Sequence, residues 1–219
     1  MLGFEDIRNN QTINVYVEKA DEALKALGYT EHSFAHIMMV TVRTEYILKM
    51  LEYDQRTIEL SKKAAYMNDI GNVVNRVDHS QSGAIMAFRI LDKIGFEDIE
   101  IAEIIKAIGN HDEGNGVPVS PLAAALILAD KSDVRRSRVR NSDISSFDIH
   151  DRVNYSVTDN KLEINQDKKE VYLILETDNH FCTVMDYFSI FLERMKLCEK
   201  AAVALGLKFK LIINNQEVI

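Results

Sequence analysis

The chain of 219 residues is poor in the residues that interrupt helices and cross-link small domains: two prolines, nine glycines, two cysteines and no tryptophan. The two cysteines, Cys182 and Cys198, lie in the last third among apolar neighbours at a spacing that matches no metal knuckle. A disulfide scaffold and a zinc ribbon are therefore excluded, and both thiols read as reduced core residues of a cytoplasmic protein. No apolar run approaches the ~18 residues of a membrane span, and the start MLGFEDIRNN lacks the basic and apolar blocks of a signal peptide. Basic residues are outnumbered 26 to 34, for a net charge of −8. That balance argues against general nucleic-acid binding and leaves room for a local phosphate-binding patch. What is present is a 47% hydrophobic composition, ample for a sizeable core and incompatible with disorder.

Because Pro118 and Pro121 are the only prolines, residues 12–140 read in helical period almost without interruption. Helices are expected at about 12–27, 33–52, 55–70, 80–94, 97–109 and 121–139, punctuated by Gly28, Gly71, Gly95 and Gly114-Asn115-Gly116. The last starts with a capping Ser120 followed by Pro121 at the first helical position. After about residue 141 the composition changes. Segments 152–157 and 161–164, joined by Thr158-Asp159-Asn160, read as a hairpin, with further strands at 170–176 and 208–213. Between them Val184, Phe188, Phe191, Met195, Cys198, Ala202 and Leu205 form one helix stripe, either intramolecular core or a homodimer contact. The expected fold class is mainly α, a helical bundle over 1–145, with a small C-terminal α+β unit over 146–219 that is β-rich and carries one long helix.

Histidines and aspartates interrupt the apolar helix faces. His32, His36, Val40, Arg43 and Ile47 share one row; Asp69 sits in AAYMNDIGN; His111 follows the Ile101, Ile104, Ile105, Ile108 stripe; and Asp130 lies in a row with Ala123, Ile127 and Val134. An unpaired polar group on such a face costs several kcal/mol, so each needs a partner or a metal. Helices that each contribute one imidazole or carboxylate to a common interior are a recurrent way to hold metal ions. A His and Asp set without Cys suits Mn, Fe, Zn or similar divalent ions better than Ca or a structural zinc.

In their order, the segments EHSFAHIMMV, AAYMNDIGN, DHSQSGA, AIGNHDEGNG and ALILADKSD resemble the HD superfamily of metal-dependent phosphohydrolases, over residues 31–135. The resemblance implies an HD-type helical bundle and one or two divalent ions (Mn, Fe, Zn, Ni or Mg). It implies His36 as the first ligand, Asp69 as the Asp of the His-Asp doublet, Asp130 as the final ligand, and His79 and His111 as the ligands found in members with a second metal. The pair His32 and His36 also resembles the cyclic-nucleotide phosphodiesterase branch, which makes His32 the general-acid candidate; were His32 the ligand instead, His36 would face the core beside it. One departure from the pattern is that Asn68 replaces the doublet's His. The Asn68 amide oxygen can coordinate a cation, but it is a weaker donor than imidazole towards Fe, Zn or Ni and offers no second ring nitrogen, so the first position is weakened: the site is mononuclear, on Asp69, His79 and His111, or takes an oxygen-preferring metal such as Mn or Mg, or is empty.

Such a site implies displacement at phosphorus, with Asp69 anchoring metal and water and His32 protonating the departing alcohol. Lys131 is the first candidate substrate contact, followed by Arg135 in KSDVRRSRVR, Arg76 in GNVVNR, and Arg43. GNHDEGNG lacks the Lys-Ser/Thr ending of a P-loop, and no Gly-x-Ser-x-Gly elbow occurs, so kinase and serine-hydrolase readings are poor. The expected function is hydrolysis of a nucleotide or another small phosphoester. The alternatives are a degenerate protein that binds a nucleotide or partner without turnover, and a di-iron oxygenase on the same ligands.

Overall fold

The computed structural model describes residues 2–219. Seven helices come first: α1 (Phe4–Arg8), α2 (Gln11–Ala26), α3 (Phe34–Met50), α4 (Gln55–Met67), α5 (His79–Ile94), α6 (Asp98–Gly109) and α7 (Pro121–Lys131). Their starts follow local chemistry: Asn10, Ser33, Asp54 and Ser120 each accept a backbone N–H from the first turn of the following helix. The central element is α7, whose residues Leu122 to Lys131 are all buried. It packs against α3, α4 and α6 on the bundle side and against α9 of the C-terminal unit on the other.

The C-terminal unit comprises α8 (Ile149–Ser156), β1 (Val157–Asn165), β2 (Glu170–Thr177), α9 (Val184–Ala204), β3 (Lys208–Ile213) and β4 (Gln216–Glu217). The sheet order is β1-β2-β3-β4, with β1 and β2 antiparallel, β2 and β3 parallel across the α9 crossover, and β4 antiparallel to β3. Leu162, Ile164, Val171, Leu173, Phe209 and Leu211 alternate inward and are buried, as period-2 patterning requires. The α9 stripe is buried within the chain: Phe191, Met195, Cys198, Ala202 and Leu205 are all covered. Both cysteines are unpaired and buried.

Three expectations need correction. Residues 152–156 are helical, and only Val157 begins a strand: Asp148 accepts the backbone N–H of Asp151, which starts α8, and the helix packs on α9 and on the turn Arg136–Arg138. The hairpin is therefore β1 with β2, and Thr158-Asp159-Asn160 lies within β1 beside a register shift between Val157 and Asp159. The helix expected to run to 139 stops at Lys131, followed by a separate 3-10 turn at Arg136–Arg138. Its freed carbonyls find a partner from outside the helix. The Asn160 amide donates to the Ser132 and Val134 oxygens at 2.7 Å each, while Arg138 Nη1 donates to the Asp133 oxygen at 2.7 Å.

Candidate metal centre

The break after α4 builds the centre. Helix α4 ends at Met67, Asn68 caps it, Asp69 follows, and a 3-10 turn covers Ile70–Val73. A Cβ on Gly71 would lie 1.9 Å from the His79 carbonyl and 2.5 Å from the Gly83 nitrogen. Only glycine allows this turn to approach the start of α5 so closely, and that approach sets Asp69 against His79. Helix α5 begins at His79 because Asp78 adopts a left-handed conformation, with φ 55°.

Two groups of buried ligand atoms share Asp69: Asp69, His79 and His111, and His36, Asp69 and Asp130. In the first, Asp69 Oδ1 lies 3.4 Å from His79 Nε2 and 3.9 Å from His111 Nε2, and the two Nε2 atoms are 3.3 Å apart. In the second, His36 Nε2 lies 3.1 Å from Asp130 Oδ1 and 3.6 Å from Asp69 Oδ2. Donors bonded at about 2.0–2.2 Å to one ion stand roughly 3.0–3.5 Å apart, so both groups fit a divalent metal with little adjustment. The tautomers agree. His79 Nδ1 donates to the Arg76 carbonyl (3.0 Å) and His111 Nδ1 to the Ile108 carbonyl (2.7 Å). Each ring thus presents an Nε2 lone pair to the other and to a carboxylate, an arrangement that calls for a cation.

His36 is oriented from behind by Asp133, whose Oδ2 accepts from Nδ1 at 2.7 Å. Burial and the Arg138 charge oppose the imidazolium, yet hydrogen bonds to Asp130, Asp133 and Asp69 carry His36 up to about 10. Its proton answers the carboxylates' demand for positive charge. Burial alone would raise Asp69, but its imidazole neighbours, His111 and His36 foremost, hold it well below the usual carboxylate range. For Asp130, burial is outweighed by the Lys131 charge and the His36 hydrogen bond. Burial, reinforced by the neighbouring His111, lowers His79 to about 4 and leaves it a neutral donor.

A cavity of about 430 Å³ opens onto Asp69, His79 and Asp130. Fully buried His36 and His111 close the cluster from behind. His32 lines the cavity, 5.3 Å from His36 between ring centroids, and belongs to neither ligand group. Its Nδ1 donates to the Thr30 carbonyl at 2.7 Å, leaving Nε2 as an acceptor. Burial first, then the Arg138 charge, keep the ring neutral by holding its pKa well below the ordinary value. Asn68 is fully buried, and neither Oδ1 nor Nδ2 has a hydrogen-bond partner among the described residues.

Of the expected substrate contacts, Lys131 and Arg76 line the cavity. Lys131 Nζ sits 2.7 Å from Asp130 Oδ2 and 3.2 Å from Glu113 Oε2. Arg76 Nη1 is 3.3 Å from Asn72 Oδ1 and 3.4 Å from His79 Nε2. Arg43 and Arg135 are not cavity residues. The Arg43 guanidinium is held by Ser132 Oγ (2.9 Å) and Asn160 Oδ1 (2.6 Å), which tie α3 to β1. Arg135 is held by Asp133 (2.8 Å), Ser137 (2.8 Å) and Glu31 (3.4 Å). Asp133 pairs with His36, Arg135 and Arg138, not with Arg43 or Arg136.

Arg138 lies in the basic run KSDVRRSRVR and Glu113 in AIGNHDEGNG, but their places in the cavity depend on loop geometry, and Phe191 and Arg194 arrive from α9 across the fold. For Arg194 the sequence signal is weak: an arginine one helical turn from Phe191.

No family model matches the chain. An uncharacterized protein of Methanocaldococcus jannaschii is 25% identical over 171 residues, which is 67% of this chain and 65% of that relative. The chain thus spans just under two thirds of its length. Among solved structures, a predicted HD superfamily hydrolase from an uncultured Thermotogales bacterium is similar to 57% of this chain and 68% of its own, at 25% identity and a TM-score of 0.45.

Proposed function

We propose that the protein is a metal-dependent phosphohydrolase of the HD superfamily acting on a nucleotide or another small phosphoester. The observation that carries this reading is the convergence of His36, Asp69, Asp130, His79 and His111 into two ligand groups joined by one carboxylate, at the wall of a cavity. A divalent ion bound there would supply polarisation of a phosphoryl oxygen and activation of water. Asp69 and Asp130 would hold it, with His36 at one position and His79 and His111 at the other.

The remaining residues bind and move protons. Arg76, whose guanidinium contacts are long and neutral apart from Asp112 at 3.9 Å, receives the reacting phosphoryl group beside His79. Lys131, whose Nζ lies 3.8 Å from the same Asp112 oxygen, adds a second positive charge. Water attacks phosphorus as the ester P–O bond breaks; His32 Nε2, protonated from solvent once substrate is bound, gives that proton to the departing alkoxide, and the proton lost by the attacking water leaves with the phosphate product or to solvent. His32 is neutral before substrate enters, so an anionic phosphate beside Nε2 must first raise its proton affinity. Tyr29, Ile190 and Phe191 give the outer cavity an apolar wall suited to the organic half of a nucleotide.

The test is phosphate or alcohol release from a phosphoester panel by chelator-stripped protein reloaded with Mn, Fe, Ni, Zn or Mg. Release restored by metal supports the reading. No release with any metal favours binding without turnover, a second reading motivated by the neutral, unpartnered Asn68 amide beside Asp69.

A further inference from the structure

Arg194 lies on α9, outside the helical bundle, yet it lines the same cavity as Asp69 and Asp130. Its Nε donates to Glu113 Oε1 at 2.7 Å, and its guanidinium carbon sits 4.2 Å from the centroid of the Phe191 ring. These two contacts fix the plane of the group. Nη1 and Nη2 make no hydrogen bond to any described residue, so the open side of the fork is left to the cavity.

Among the other cavity arginines, Arg138 uses Nε and Nη1 on the carbonyls of Glu31 and Asp133. Arg76 stands 3.4 Å from His79 and therefore next to the reacting group. Arg194 stands further out, linked to the cluster through Glu113, Lys131 and Asp130 by contacts of 2.7, 3.2 and 2.7 Å. A planar, pre-oriented guanidinium with two free amino groups in a half-buried cavity wall is suited to bidentate capture of phosphate oxygens.

We propose that Arg194 contacts substrate and makes the cavity selective for phosphoesters that carry a second phosphoryl group, held between Arg194 and Lys131 while the first lies at the metal centre. The proposal rests on the phosphohydrolase reading and adds to it a substrate class and a role for the C-terminal unit. Glu113 then acts as a positioning residue, pinning Nε so that the remaining donors face inward.

The test is calorimetric titration of manganese-saturated protein with methylenediphosphonate and with methylphosphonate, neither of which is hydrolysed. Wild type should prefer the diphosphonate by at least about tenfold, the discrimination expected of one charge-assisted bidentate contact. Arg194→Ala and Arg194→Lys should both lose that preference while binding methylphosphonate within about twofold of wild type, which also shows that the variants are folded. A wild type with no preference, or a preference that survives in Arg194→Lys, overturns the proposal. The phosphohydrolase reading fails on a separate readout, the absence of phosphate release by metal-loaded wild type.

Discussion

Replacing Asp69 by Asn tests the shared-carboxylate geometry with almost no change of volume. Oδ1 faces His79 and His111, and Oδ2 faces His36 at 3.6 Å, so one substitution removes the anionic donor from both ligand groups. A metal at about 100 times its dissociation constant stabilises the native state by ~2.7 kcal/mol. For a domain of this size each kcal/mol moves Tm by roughly 2–4 °C, so wild type should gain about 5–11 °C on manganese addition. In Asp69→Asn the gain should fall below about 2 °C at the same concentration, because a neutral amide oxygen is a far weaker ligand. His79→Ala leaves His36, Asp69 and Asp130 together and should retain part of it. The assay is thermal unfolding with chelator and with manganese, read as the gain within each variant so that changes in metal-free stability cancel. A full gain in Asp69→Asn would refute the geometry.

Restoring an imidazole by Asn68→His should increase metal retained after dialysis, since the amide it replaces is buried and unpartnered; equal metal content would show that position 68 does not reach the ion. His32→Gln should lower kcat by about 10²- to 10³-fold with metal content unchanged, and an unaltered kcat would remove His32 from proton transfer. Lys63 is fully buried, with Nζ unpartnered and 5.2 Å from the Phe96 ring centroid, and burial lowers its pKa. Below that lowered value the folded state carries the full penalty of a buried charge, and the penalty fades as pH rises towards the ordinary lysine range. Lys63→Met should therefore stabilise by about 1 kcal/mol at neutral pH, with the advantage shrinking towards pH 10 in urea titrations; a loss of stability at pH 7 would contradict this.

Elements whose burial pattern is set by their own period are legible in the sequence. The α9 stripe, β2, β3 and the Ser120-Pro121 start of α7 fall close to where periodicity and capping put them. The segment Arg152 to Ser156 reads as a strand because Val153 and Tyr155 favour strands locally, whereas the Asp148 cap and packing against α9 decide for helix. The end of α7 was invisible for a different reason. Asp133 leaves the helix to orient His36, and the carbonyls so exposed are satisfied by Asn160, whose sequence separation from Ser132 hides the partnership. His36 interrupts an apolar row and His111 follows one, whereas His79 is marked only by the family resemblance, and Arg194 enters the cavity only because α9 packs on α7. Arg43 shows the opposite error: it shares a row with His36, yet its acceptors Ser132 and Asn160 draw it into the seam between bundle and sheet.

The central claim is that two ligand groups sharing Asp69 hold divalent metal. Anomalous diffraction at the manganese edge from crystals grown with manganese reads this directly. A peak is expected within about 2.0–2.3 Å of Asp69 and of His79 and His111, or of His36 and Asp130. Manganese-saturated crystals with no anomalous peak at either group would contradict the account.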